Sequence, residues 1–374
     1  MFKKILITFA ALSSMFLLLN YAGQYNDRSG ENQADLAYLD LFAEFQREHN
    51  KKYSSPSEER YRLSVFAANS RMIDEHNKSN SSYTLGMNQL GDMTWEELKN
   101  FYLADMTPGD LPTCDGEIPS KKKESLLGAS GKNTKHTKVQ DNGKDEPVTE
   151  TQFRFAEDAQ KVDWYEAGKV TAVKNQGQCG SCYAFSAVAS TESLYMIKYN
   201  KQVNLSEQQI VDCSRDYGNH GCGGGLVSRC FHYAMEHSLE SEADYPYKGQ
   251  SQQCAEDSSK AVVKLSGCTK VETNMNALLS AIRIQPVSVA FEALMEIFFY
   301  KFGIYHPKHC GKQVNHAVLA AGFDLTYKMP YLLIKNSWGK WWGRSGYLYM
   351  AIGEDPNGYC NIAGSGHNFV PKLD

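Results

Sequence analysis

The sequence predicts an α+β protein. Apolar residues recur at helical spacing in the earlier part, at Leu36, Leu39, Phe42 and Phe45, and again after Cys182 at Phe185, Val188, Tyr195 and Ile197. Strand-like apolar runs gather late, at residues 286–291 (PVSVAF), 314–321, 331–334 and 347–351. Helices first and strands afterwards is an α+β order, not an alternating one. The 374 residues give length for two or three domains or subdomains. A net charge of −4 suggests neither nucleic acid nor an acidic membrane surface as a partner.

Taken in order, residues 1–22 read as a secretory signal peptide. Lys3 and Lys4 precede the run ILITFAALSSMFLLL, which is short for a membrane span. Entry to the secretory pathway implies oxidising conditions, so the ten cysteines become disulfide candidates. A helix is expected within 35–53, and Ser57 is the expected N-cap of a second. On that second helix Glu58, Arg62, Phe66, Asn69, Ile73 and Asn77 share one stripe. An ordinary ion pair accounts for Glu58 and Arg62; a stripe that also mixes two apolar residues with two amides is less ordinary. Residues 107–151 are polar and rich in Lys, Gly, Ser and Asn, and predict a flexible linker. Cys114 lies in it with no evident partner.

The chemistry centres on residues 173–185, VKNQGQCGSCYAF. Cys182 closes a Gly-rich turn and opens a helix, whose free N–H groups and positive dipole end favour thiolate over thiol. Cys179 and Cys182 form a C-x-x-C pair, but no second pair or close His pair follows, so a zinc site is disfavoured. A cysteine nucleophile needs a base, and the base an orienting group. His316 stands before an apolar run in QVNHAVLAA, and Asn336 follows one in YLLIKNSWG. Residues 206–209, SEQQ, offer a capping box. The loop GCGGG, 221–225, lacks the Lys-Ser/Thr of a phosphate cradle.

Cysteine, histidine and asparagine in this order and spacing resemble the papain family of cysteine proteases, the cathepsin L-like group in particular. The stripe reproduces that group's interspersed E-R-F-N-I-N propeptide pattern. Gly86, Asn88 and Asp92 resemble its second propeptide motif, with Leu90 in place of Phe. The resemblance covers nearly everything after the signal segment. It implies a helical half carrying Cys182 and a barrel-like half carrying His316 and Asn336, with a cleft between them. A helical propeptide packs on the enzyme and runs back through the cleft. The implied divisions are signal peptide 1–22, inhibitory propeptide 23–106, linker and processing region 107–157, and peptidase domain 158–374, with the cut near 156–159. Tyr183 stands where Trp is commoner. A dipeptidyl-peptidase branch also has Tyr there, but nothing resembles its exclusion domain, so an endopeptidase is expected.

By the same resemblance Cys182 attacks the peptide carbonyl, paired with His316 as imidazolium. Asn336 orients the ring, Trp338 covers that hydrogen bond, and Gln176 with the Cys182 N–H binds the oxyanion. Gly224 and Gly225 line the cleft, and Leu226, Val227, Ala290, Val314 and Ala317 wall the specificity pocket, with Ser365 near its floor. The implied disulfides are Cys179–Cys222, Cys213–Cys254 and Cys310–Cys360. Cys230 and Cys268 are left over, and the even count makes them candidates for a fourth. Asn80 and Asn204 are the favoured glycosylation sites; Asn77 also lies on the stripe. No metal or organic cofactor is expected. Expected partners are peptide and protein substrates, the chain's own propeptide and cystatin-like inhibitors, with a monomeric mature enzyme in a lysosome, a vacuole or outside the cell. A catalytically dead binding protein is opposed by the intact Cys182, His316, Asn336 and Gln176. A transpeptidase, which prefers an amine to water, shares every one of these residues.

Overall fold

The computed structural model describes residues 37–104, 106, 114, 117–118 and 155–374. The expected signal peptide and most of the polar linker lie outside these residues. Two compact units emerge: residues up to 75 together with 87–94, and residues 76–86 together with 95–374.

In the first unit, α1 (Leu39–Glu48) and α2 (Pro56–Lys78) carry the predicted helical pattern, the last residues of α2 belonging to the second unit. Phe42, Phe45, Leu63 and Phe66 form its buried core. The cap of α2 falls on Ser55, not Ser57. The Ser55 hydroxyl accepts the Glu58 N–H, and Pro56 takes the first helical turn, where its missing N–H costs nothing. The stripe fastens backbone: Arg62 donates to Asp92 O (3.0 Å), and Asn69 donates to Gly91 O and Met93 O (2.8 and 3.0 Å). Asp92 itself accepts from Lys51 and Tyr53.

The second unit opens with β1 (Tyr83–Leu85) and α3 (Trp95–Tyr102), followed by β2 (Glu117–Ile118) and β3 (Lys161–Asp163). Three helices come next, α4 (Cys182–Tyr199), α5 (Glu207–Cys213) and α6 (Val227–Glu236). Then follow β4 (Gly267–Val271), α7 (Met275–Ile284), β5 (Val287–Phe291), β6 (Tyr300–Tyr305), β7 (His316–Asp324), β8 (Tyr331–Lys335), β9 (Tyr347–Ala351) and β10 (Phe369–Lys372). The α+β order is as expected. Strands run β1-β6-β9-β8-β7-β5-β10-β4-β2 across the sheet, with β3 also pairing β7. Ser206 caps α5 by accepting from the Gln209 N–H (3.0 Å), as the capping box predicts.

Two features position the site. β7 pairs antiparallel with β8, Leu319 opposite Lys335, so His316 and Asn336 come to the same end of the sheet. Ser186 of α4 donates to Val318 O (2.7 Å), and Ser288 donates to Ser186 O (2.9 Å), which holds the helix of Cys182 against the strand of His316.

Disulfides join Cys179 to Cys222, Cys213 to Cys254 and Cys310 to Cys360. The expected Cys230–Cys268 bridge is absent: Cys268 pairs with Cys114. The cause is β2, which runs parallel to β4 with Glu117 opposite Lys270, and so brings Cys114 alongside Cys268. Residues 117–118 are therefore strand, not part of a structureless linker. Cys230 stays a buried free thiol facing Leu226 O (3.4 Å) and the Asn219 amide (3.6 Å).

Candidate active site

Cys182 is the first residue of α4, and its sulfur accepts the Ala317 N–H at 3.5 Å. His316 Nε2 meets Asn336 Oδ1 at 2.8 Å, while its Nδ1 has no hydrogen-bond partner among the described residues. Asn336 Oδ1 also accepts from Ser337 N (2.8 Å), which fixes the amide so that its oxygen faces the ring. Trp338 is fully buried, stacked on His316 (4.7 Å between centroids) and on Phe298 (4.5 Å). It thus shields the His316–Asn336 bond from water. Cys182, His316 and Asn336 come together as the sequence suggested.

The Gln176 side chain is held at both ends. Its oxygen accepts from the Ser337 hydroxyl (2.6 Å), and its nitrogen donates to Cys179 O (2.8 Å) and Tyr102 O (3.0 Å). Tyr102 ends α3, so a carbonyl from the chain's own upstream segment occupies the amide donor. The neighbouring contacts agree. Ala104 N donates to Asn315 O (2.9 Å), and a Cβ added at Gly180 would meet Leu103 O at 2.7 Å. Ala104 and Met106 are buried in the same apolar cluster as Cys182, Leu226, Val227, Ala290 and Ala317, with Val314 against it. Gly224 and Gly225 are buried beside them; Ser365 is half-buried, its hydroxyl accepting the His367 N–H (3.2 Å).

Occlusion sets the electrostatics. Cys182 and His316 are both 0 % exposed. Burial pushes the thiol up to about 11, against the N–H groups of Ala317, Tyr183 and Cys182, which favour thiolate. Burial pushes the imidazole down to about 4, against its bond to Asn336. In this covered form burial thus works against both charges of the imidazolium–thiolate pair expected from the sequence. A site closed by the chain itself removes the solvent that stabilises both charges.

Sequence reading passed over several supporting residues. Ser337 fixes Gln176, and Tyr247 donates to Gln176 O (2.8 Å) while sharing a hydrogen bond with the Ser181 hydroxyl (2.7 Å). Lys174 joins buried Glu192 and Glu207 (2.8 and 2.7 Å), and Lys335, next to Asn336, donates to Thr171. Several sit in stretches already singled out, Lys174 and Ser181 in residues 173–185 and Lys335 and Ser337 on either side of Asn336, but nothing in those stretches assigned them these contacts. Tyr183 buries its ring and donates to Gly221 O (2.9 Å), tying the start of α4 to the glycine loop.

A cysteine with an oriented histidine beside it, closed over by an upstream segment, defines a thiol hydrolase in a covered state. Residues 159–368 match the papain family cysteine proteases, and residues 42–98 match the cathepsin propeptide inhibitor domain. The chain belongs to the papain family: it is a cysteine protease carrying its own propeptide inhibitor. It is similar to thiol protease aleurain of Arabidopsis thaliana, 35 % identical over 86 % of this chain and 81 % of that protein. A cathepsin L-like proteinase of Fasciola hepatica is 34 % identical over 87 % and 91 %. Among solved structures, digestive procathepsin L 3 of Tenebrio molitor larval midgut superposes with a TM-score of 0.72 at 32 % identity. That match covers 90 % of this chain and 99 % of that one.

Proposed function

We propose that Cys182 is the nucleophile of peptide-bond hydrolysis, forming a thioacyl intermediate. His316 protonates the leaving amine and then serves as general base for water, and Asn336 orients the ring. The Gln176 side chain and the Cys182 N–H hold the oxyanion. The single observation that carries this reading is the His316 Nε2–Asn336 Oδ1 bond, which leaves Nδ1 for the thiol beside Ala317. Mild acid treatment followed by a thiol-directed epoxide and peptide mapping tests it. The label belongs on Cys182; label elsewhere, or none, overturns the assignment.

Processing near residues 156–159 yields a monomeric peptidase of the secretory pathway, lysosomal, vacuolar or extracellular, working at acidic pH and open to cystatin-like inhibitors. Asn80 and Asn204 are exposed, in keeping with glycosylation. The substrate pocket is formed by Leu226, Val227, Ala290, Val314 and Ala317, with Ser365 near its floor. Met106 supports this by burying an apolar side chain in that cluster. Burying a Leu or Phe side chain contributes roughly 1.5–3 kcal/mol, whereas an Arg there loses hydration without gaining a partner. Fluorogenic dipeptides differing only in the residue second from the cut should therefore rank Leu, Val and Phe above Arg. Faster cleavage of the Arg member contradicts the pocket.

A further inference from the structure

His232 takes no part in the site described above. It lies on α6, against the bridge that ties Cys114 to Cys268 of β4. A ring nitrogen of His232 and the sulfurs of Cys114 and Cys268 all lie within 4.8 Å of one another. His232 Nε2 is buried and has no hydrogen-bond partner among the described residues. A buried polar atom left unpaired is costly, and disulfide sulfurs offer it neither an S–H nor a charge. Cys268 is 1 % exposed, whereas Cys114 and His232 are half-buried, so the group is open to solvent from one side.

Opening the bridge changes what these three side chains can hold. Two molecules of a small thiol supply two electrons and two protons. The S–S bond breaks, Cys114 and Cys268 become thiols, and the small thiol leaves as its own disulfide. Two cysteine sulfurs and an imidazole within reach of one another are then a donor set for zinc, not for the oxygen-seeking calcium or magnesium. In a tetrahedral site with Zn–S near 2.3 Å the two sulfurs stand roughly 3.8 Å apart. The Cα atoms of Cys114 and Cys268 are 5.0 Å apart, a spacing from which the sulfurs reach that separation by side-chain rotation. Two thiolates cancel the charge of the ion, so the half-buried surroundings take up no net charge.

We propose that the reduced chain binds one zinc ion through Cys114 Sγ, Cys268 Sγ and His232 Nε2, with water as the fourth ligand. Binding releases the two thiol protons to solvent. The disulfide and the zinc site exclude each other, because only free thiolates ligate the metal. Residue 114 is thus tied to β4 by a covalent bond in the oxidised chain and by coordination in the reduced, metal-loaded one. Cys179 and Cys182, the C-x-x-C pair, contribute nothing to it. The zinc site does not rest on the function proposed above.

Cobalt(II), a spectroscopic stand-in for zinc, tests it in the full-length Cys182→Ala precursor, which lacks the Cys182 thiol as a competing ligand. The chain is reduced with mercaptoethanol, freed of it under argon, shown by peptide mapping to have Cys114 and Cys268 free, and titrated. The intense visible bands of tetrahedral cobalt and a thiolate-to-cobalt charge-transfer band should appear, be bleached by zinc, and be absent from the unreduced chain. His232→Ala and Cys114→Ser should each weaken cobalt at least tenfold. A tetrahedral spectrum in the unreduced chain, none in the reduced chain, or unchanged affinity in His232→Ala each overturns the proposal. If His232→Ala fails to fold, alkylation of the reduced Cys182→Ala precursor decides. Zinc should slow labelling of Cys114 and Cys268 at least tenfold, and equal labelling with and without zinc overturns the site.

Discussion

At Cys182 and His316, the pair proposed to react, burial disfavours both charges, and the sign of the pH dependence follows. Covering depresses His316 from its ordinary 6.5 to about 4. The covered form therefore has its full advantage above about pH 6.5 and loses it as pH falls toward 4, because only the uncovered ring takes up the proton. At about 1.4 kcal/mol per pH unit, this window shifts the balance toward the open site by roughly 3 kcal/mol. The raised thiol acts in a different window, losing its advantage as pH rises through about 9 to 11, and does not oppose acid opening. Histidine resonances of a Cys182→Ser precursor should show His316 untitrated between pH 8 and 5; a midpoint near 6.5 contradicts this. In the mature enzyme Cys182→Ala should abolish turnover and His316→Ala should remove most of it. Asn336→Ala should cost less, because it orients and does not react. A folded Asn336→Ala as inactive as Cys182→Ala contradicts that division of roles. Order and spacing single out these three residues in the sequence; their burial is not legible there, because it depends on the folded chain around them.

The element that decides the covered state is α3 with the residues that follow it to Met106. Trp95 and Tyr102 pack edge-on against Phe298 (6.3 and 6.0 Å), and Tyr102 also against Trp338 (6.2 Å). Ala104 then lends its N–H to Asn315, the residue before His316. Met106 is 1 % exposed, so Met106→Asp places a charge where nothing described pairs with it. A penalty of at least about 2 kcal/mol is expected, which is roughly a thirtyfold looser segment. The uncut precursor of this variant should cleave a fluorogenic dipeptide at neutral pH, where the unaltered precursor does not; equal silence of the two contradicts the assignment. The helices α1 and α2 were legible from apolar spacing, and the cap of α5 from its Ser and Gln. Residues 103, 104 and 106 carry no periodicity, and their placement comes from partners scattered at 180, 315 and 317. The shift of the α2 cap from Ser57 to Ser55 has a local cause, since Pro56 is well suited to the first helical turn.

At the scale of the whole chain, α+β order and three disulfides were foreseeable, and the fourth was not. Sequence gives cysteine parity but no distance, and only the parallel pairing of β2 with β4 brings Cys114 to Cys268. That bridge spans 154 residues and encloses every position from 119 to 158. A backbone cut there opens a covalent ring without dividing the molecule. The intact mass should rise by one water. A gel without reductant should keep one band where reductant gives two, and separation into two without reductant would show that the bridge does not form. Counting cut chains is then not counting liberated ones: Met106, eight residues before the tethering sulfur, remains a near neighbour of the cleft at high local concentration. A cut at the proposed 156–159 would leave the two pieces of one molecule joined through Cys114–Cys268, and the thiol poise of the surroundings would decide whether they stay joined.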